Sequence, residues 1–529
     1  MNNRPLPTRR LPRQPNLPQL RKQAKDLLDA YRRGDPAAAA EVHRFERAPH
    51  PAHFALADAQ RVLARAYGFD SWPKLKAFAD GVTVRRLASA VKAGDVAQVR
   101  RLLTARPELV HLDLAGDDEH RALHYAVLRR DPAMVRLLMQ HGADARKGIF
   151  PHRDATSAYA LARDREYTDI VAILEEEERK RRPADASLDE PASPVEPHPL
   201  ADAVAQGDAM RVREMVEADR ALLATHGGWR RGGVLSLAVA RGQLAIVELL
   251  LNLGGDPNEP VLVEDLEEPV VSYGQPLWSA VDLGHFDIAR LLLERGADPN
   301  ANLYASGWPL DRAYRNGDLA MKRLLLAHGA RPKPWTVALA HDVEAARQML
   351  AVASEEETAR ELAWSAACNG CPEILELALP HLAWPGDDPR WNWVLIQPPR
   401  SAGAESAGEP YFACMRLLLA HGVDPNVSAR FGQTPLHFIA ARHTLTETVR
   451  VRFAGMLLDA GARFDVRDEL LRSTPLGWAC RWGREDMVEL LLARGAPVEE
   501  AGADGWATPL AWARKMNHQR IVARLSRKP

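Results

Sequence analysis

Along residues 275–300, QPLWSAVDLGHFDIARLLLERGADPN, apolar side chains fall at Leu277, Ala280 and Val281, and again at Ile288, Leu291, Leu292 and Leu293, with Gly284 between the clusters. This spacing predicts two short amphipathic helices joined by a tight turn. Gly296-Ala297-Asp298-Pro299 should end the second helix, because Gly accepts the left-handed conformation past a C-terminus and Pro cannot continue the helix. The pattern recurs: 33 residues on from Pro276 stands Pro309, and 33 on from Gly296 stands Gly329. Leucine runs at 249–251, 291–293, 324–326, 417–419 and 490–492 keep the register. One helix pair of this size cannot bury enough apolar surface to offset the entropy of ordering its backbone, so the pairs are expected to stack.

Several pairs open and close on the same words. Thr434-Pro435-Leu436-His437, Thr474-Pro475-Leu476 and Thr508-Pro509-Leu510 stand at the heads of first helices. Gly142-Ala143-Asp144, Gly422-Val423-Asp424-Pro425-Asn426, Gly461-Ala462 and Gly495-Ala496 follow second helices. In these motifs the chain resembles the ankyrin-repeat family over residues 84 to 529. The resemblance implies an all-α solenoid of about 13 helix-turn-helix units carrying β-turn fingers. It also implies a non-enzymatic role in which a protein partner lies along the groove of first helices and finger tips. His124 and His437 occupy the place where the family's ring bonds the backbone of the adjacent unit.

LASAVKAGDVAQVR, residues 87–100, and LADAVAQGDAMRVR, residues 200–213, share eight of fourteen positions and lack the Thr-Pro-Leu head. Both suit a starting cap with one face in water. Two caps predict two arrays, 84–178 with about three units and 200–529 with about ten, joined by a charged and Pro-rich linker at 179–199. One continuous solenoid with an enlarged finger is the alternative. Ahead of the arrays, residues 1–15 have the Pro- and Arg-rich composition of a disordered tail, and 16–82 form a basic helical module. Its four helices start near Leu17, at the alanines 37–40, at Ala55 and after Ser71, a candidate N-cap followed by Pro73. QLRKQAKDLL and ARAYGFDSWPKLKAF give this module its similarity to those that precede bacterial ankyrin arrays.

Charge narrows the function classes. Sixty-nine Lys and Arg against 70 Asp and Glu argue against a general nucleic-acid binder. Residues 1–47 hold 11 Lys/Arg and 5 Asp/Glu, however, so an adaptor whose basic head binds nucleic acid while the arrays recruit a protein is the alternative function. No secretory leader and no run of about 18 apolar residues is seen, so no membrane span, a cytoplasmic location and a monomer are expected. Four cysteines are too few for a disulfide framework. Cys368-Asn369-Gly370-Cys371 is a CxxC, but its spacing is that of the helical turn, and no second pair accompanies it. Without an HExxH, P-loop or GxGxxG motif, no catalytic residue, metal or cofactor is assigned.

The finger and first-helix positions are rich in aromatics, the side chains that dominate binding hot spots. Candidate partner-binding residues are Trp278 and Trp364, both in the family's His place; Trp308 and Trp506, just before Leu310 and Leu510; Tyr273, Tyr304, Arg430 and Phe431 in fingers; and Trp391 and Trp393. The last two lie in an expected Pro/Gly-rich loop insertion at 384–410. A second insertion, 258–274, is acidic through Glu259, Glu264, Asp265, Glu267 and Glu268, and is expected as a solvated loop or a contact for a basic partner. The unit near Trp335 to Leu350 is shortened, and a bend or change of packing is expected there.

Overall fold

The computed structural model describes residues 7–11, 15–46, 49–115, 118–149, 152–181, 199–224, 232–263, 267, 270–303, 306–352, 356–402, 408–428 and 430–526. Most of the expected tail and of the linker thus lies outside the described residues. Contacts divide the chain into two compact units, Met1–Arg163 with Tyr167–Ala330, and Asp164–Glu166 with Arg331–Pro529.

The first unit opens with helices Leu17–Arg32, Pro36–Phe45, Leu56–Ala66 and Trp72–Ala79. The Asn16 and Asp35 side chains accept backbone N–H groups of Gln19 and Ala38, and prolines stand in both first turns, where no intrahelical N–H is missed. Ser71 is the N-cap of the fourth helix, although its hydroxyl makes no capping bond. Tyr31, Val42, Phe45, Phe54 and Val62 form one apolar cluster, and Leu20, Leu63, Phe69, Leu75 and Phe78 another.

Thirteen helix pairs follow among the described residues, seven before Ala330 and six after Arg331. In the first unit Pro199–Gln206, Val234–Ala240, Gln275–Asp282 and Pro309–Arg315 pack in succession as leading helices. In the second, Pro435–Ala441, Pro475–Arg481 and Pro509–Lys515 do the same. Leu250, Leu292 and Leu325, like Leu418, Leu457 and Leu491, have no exposed surface, so the leucine register of the sequence is the buried seam. The turn between helices needs a left-handed residue. Gly284 supplies it at φ 73°, and where the glycine is replaced Arg130, His341 and Asn517 adopt φ 50°, 54° and 59°. The shortened unit is the pair Pro334–Leu339 and Val343–Val352, turning at His341.

Both insertions differ from expectation. In 258–274 the strands Val261–Val263 and Val270–Ser272 pair antiparallel, and the two described carboxylates are held internally. Glu259 is buried at the head of Val234–Ala240, where its carboxylate accepts from the N–H groups of Leu235 (3.3 Å) and Ser236 (2.9 Å) and from the Ser236 hydroxyl (2.5 Å). Burial pushes its carboxyl above the ordinary range. Glu267 accepts from the Val84 N–H at 3.1 Å and pairs with Arg106 at 2.6 Å. Arg106 in turn lies 5.6 Å from the ring centres of Phe69 and Phe78 and donates to the Val82 carbonyl at 2.8 Å. The acidic segment is therefore neither a solvated loop nor a free lure for basic partners at these two positions, because buried N–H groups and a buried guanidinium require an anion. Glu264, Asp265 and Glu268 lie outside the described residues. Changing Glu259 to Ala would orphan the donors of a helix's first turn, with an expected loss of about 1–3 kcal/mol in urea denaturation.

The stretch 384–410 is not a loop over its described part. Helices Arg390–Leu395 and Gln397–Ser401 form there, with Pro398 and Pro399 in the first turn of the second, where a missing N–H costs nothing. Gln397–Ser401 packs on Glu356–Asn369 and on Gly408–Ala420, and so acts as the leading helix of its repeat. The prolines that suggest a loop in the sequence are helix starters in the structure.

Candidate protein-binding surface

In two repeats a histidine of the leading helix sets the finger. His124 accepts from the Arg121 N–H at 3.0 Å through Nδ1, and its Nε2 meets the Lys147 carbonyl at 2.9 Å. His437 repeats the device with the Thr434 N–H at 3.2 Å and the Ser473 carbonyl at 3.1 Å. Both rings are wholly buried, and burial lowers their pKa to about 4, so each is neutral and can accept on one nitrogen while donating from the other.

Trp278 stands in that same His place and takes over the same work. It is buried, and its indole Nε1 donates to the Ser306 carbonyl at 3.2 Å, with Arg312 5.8 Å from the ring centre. Its expected partner contact gives way to a structural one, because the indole N–H reaches the neighbouring finger as the imidazole does. Trp364 differs: it is half-buried against Trp335 with ring centres 5.2 Å apart, and no described group accepts from its Nε1.

Trp391 is also removed from the accessible set. It has no exposed surface, its Nε1 donates to the Pro385 carbonyl at 3.0 Å, and its ring meets Trp384 edge-on at 4.8 Å. Two residues along the same short helix, Trp393 points the other way and is 56% exposed. Tyr273 is 46% exposed beside the hairpin. Trp308, Phe431 and Trp506 are half-buried. Trp308 is the N-cap of Pro309–Arg315, Phe431 has φ 66° with its carbonyl held by the Glu469 N–H at 2.7 Å, and Trp506 lies edge-on to Trp512 at 6.0 Å. Tyr304 and the side chain of Arg430 lie outside the described residues.

Sequence reasoning passed over Trp478 and Trp512, both buried, whose Nε1 atoms donate to Asp468 at 2.8 Å and to the Ser473 hydroxyl at 2.6 Å. Their signal was present, since each stands four residues after the threonine of a Thr-Pro-Leu head. Arg400 and Arg442, at the ends of consecutive leading helices, were passed over as well.

Three independent observations now converge: paired helices at a fixed period, positive-φ turns between them, and a buried His or Trp bonding the next finger. Residues 200–303, 235–336 and 404–499 match the family model for ankyrin repeats in three copies, and residues 118–147 match the single ankyrin repeat. These stretches are ankyrin repeats. Among curated proteins, glycerophosphocholine phosphodiesterase gde1 of Schizosaccharomyces pombe is 37% identical over 96 residues, which is 18% of this chain and 8% of that protein. The match spans less than a tenth of that relative, and its named activity belongs to the whole protein.

Burial pushes the thiol of Cys414 up to about 12 and those of Cys371 and Cys480 up as well, so the nucleophilic thiolate is disfavoured at all three. Among the described residues no three His, Cys, Asp or Glu side chains are grouped to hold a metal. Among the same residues no helix is long and apolar enough to cross a membrane.

Proposed function

We propose that the protein is a non-enzymatic interaction scaffold that binds a partner protein along the leading helices and finger tips of its ankyrin repeats. Ankyrin repeats generally mediate protein–protein contacts, and the observation that carries the reading here is a division of labour among the aromatics. Trp278, Trp391, Trp478 and Trp512 are consumed by the scaffold, whereas Trp393, on the helix Arg390–Leu395, and Tyr273, just past the strand Val270–Ser272, are exposed. A large ring fixed in water on a packed helix is what a hot spot requires. The reading includes a monomer in a bacterial cytoplasm, with the helical head as a docking or packing module.

The head's basic charge favours this over the nucleic-acid alternative, because part of it is spent internally. Arg9 pairs with Glu41 at 2.7 Å, and Arg61 and Arg65 both pair with Glu46, at 2.5 and 3.0 Å. Site-specific photo-crosslinking from the full chain tests the reading. Probes at Tyr273 and at Trp393 are expected to trap a recurring polypeptide in cells, while a probe at Leu319, 64% exposed on a second helix, traps none. Equal yields from all three positions would dismiss the groove as the working face, and crosslinks to nucleic acid from the head would install the alternative.

A further inference from the structure

Arg106 is the C-cap of the helix Val96–Ala105 and is only 2% exposed, so its guanidinium must find partners inside the protein. Most of them come from nearby in the chain. Its Nη1 donates to the Val82 carbonyl at 2.8 Å, its Nε pairs with Glu108 at 3.0 Å, and the ring centres of Phe69 and Phe78 lie 5.6 Å away. Glu108 in turn stands 3.4 Å from Lys74 on Trp72–Ala79, the fourth helix of the head. The guanidinium therefore sits in the joint where the head passes into its first helix pair, Val84–Ala93 and Val96–Ala105. Its other partner lies 161 residues further along the chain, where the Glu267 carboxylate pairs with Nη1 at 2.6 Å. Both oxygens of that carboxylate also lie 3.1 Å from the N–H of Val84, the first residue of its helix, whose N–H has no acceptor within the helix.

The finger that delivers Glu267 is rooted elsewhere. Its strands Val261–Val263 and Val270–Ser272 pair at three positions, a sheet of a size that has little stability by itself. The base of the hairpin is fixed among its own repeats: Glu259 accepts from the Ser236 N–H at 2.9 Å, and the Ser272 hydroxyl donates to the Asn302 carbonyl at 3.1 Å. Between the strands, Glu267 is fixed to the joint. Stacking does not require such a contact, because a repeat leans only on its neighbours and the Pro-rich stretch 179–199 separates these two segments in the sequence. The contact also differs in kind from the leucine seam. A buried ion pair adds little net stability against an apolar packing of the same size, yet it fails when one partner loses its charge.

We propose that the 258–274 finger is a latch whose catch is Glu267: it fastens the head and its first helix pair to the repeats that carry the hairpin, and withdrawal of the carboxylate lets the two segments move apart. The latch makes the head and the fingers one body, so a partner held on the fingers meets a head facing in a fixed direction. This goes beyond the scaffold reading and does not depend on it.

The test uses the full chain, in which all four native cysteines are buried and thiol-specific nitroxides report on introduced ones. Lys76→Cys, exposed on Trp72–Ala79, and Asp287→Cys, exposed on Phe286–Glu294, place one label on each side of the latch. Double electron–electron resonance should give a single narrow distance with Glu267 intact. Glu267→Gln, of the same shape without the charge, should add a broad second population, and Glu267→Arg, a cation set against Arg106, should make that population the major one. Hydrogen exchange in Val84–Ala93 should quicken at least tenfold in Glu267→Arg, while Pro309–Arg315 stays protected and shows that the repeats remain folded. Glu294→Arg, the same charge change at an exposed site on Phe286–Glu294, should leave both measurements as they are. A narrow distance retained in both Glu267 variants overturns the proposal even if exchange quickens, because Glu267 would then only cap a helix. A broad distance already present in the parent, or equal broadening in Glu294→Arg, overturns it too. Crosslinking at Tyr273 and Trp393 judges the scaffold reading separately.

Discussion

Acidification from pH 7 to pH 4 is expected to strip about 3 kcal/mol from the repeat around His124 and a similar amount from the repeat around His437. Both rings are buried and neutral, with pKa lowered from 6.5 to about 4 by burial. Above pH 6.5 the ring is neutral whether the chain is folded or unfolded, and the full contribution to stability is present. Below it the unfolded chain takes up a proton that the folded chain refuses, so stability falls with each unit of pH until the folded ring titrates near 4. Two and a half units at about 1.36 kcal/mol each give the figure. Carboxylates titrate in the same range, so the diagnostic is a difference in slope. Hydrogen exchange of the segments Ala122–Leu128 and Pro435–Ala441, followed from pH 7 to 4.5 and corrected for intrinsic rates, should show protection falling steeply in the parent. In His124→Gln and His437→Gln the fall should flatten in the altered repeat alone. Parallel slopes in parent and variants would remove burial of these rings as the source.

The sequence carried the fold through periodicity, because every repeat solves the same burial problem with the same spacing. Leu292 and Leu325, 33 residues apart, are both fully buried, and so are the His124 and His437 rings. What periodicity could not convey was direction within short or interrupted helices. Trp391 and Trp393 look alike in a row of letters, yet two residues on a helix is roughly 200° of rotation, enough to send one ring to the core and the other to water. Prolines 398 and 399 mislead for a related reason, since their effect depends on whether they fall at a helix start or inside it, and only the packed structure decides that. The carboxylates of Glu259 and Glu267 were unreadable because their partners, Ser236 and Arg106, lie 23 and 161 residues away. Trp278 shows the intermediate case: its place in the repeat was evident, and its role followed once the indole was seen to reach the Ser306 carbonyl.

Replacing Trp391 by Ala should therefore be among the most damaging single changes in the chain, at about 3–5 kcal/mol, while Trp393→Ala should stay within about 0.5 kcal/mol of the parent. The larger figure has two sources. The ring fills a site with no exposure, edge-on to Trp384 at 4.8 Å and to His421 at 5.8 Å, so truncation leaves a cavity that those neighbours cannot close without abandoning their own contacts. It also leaves the Pro385 carbonyl without its indole donor. Because a repeat leans only on its neighbours, the loss should be read locally, as reduced exchange protection in Glu356–Asn369 and Gly408–Ala420, with the helices before Ala330 unchanged. Urea denaturation of the two variants beside the parent supplies the energies. Equal costs for the two tryptophans would mean that Arg390–Leu395 is not held in the orientation seen here, and Trp393 would then lose its claim to be a fixed anchor for a partner.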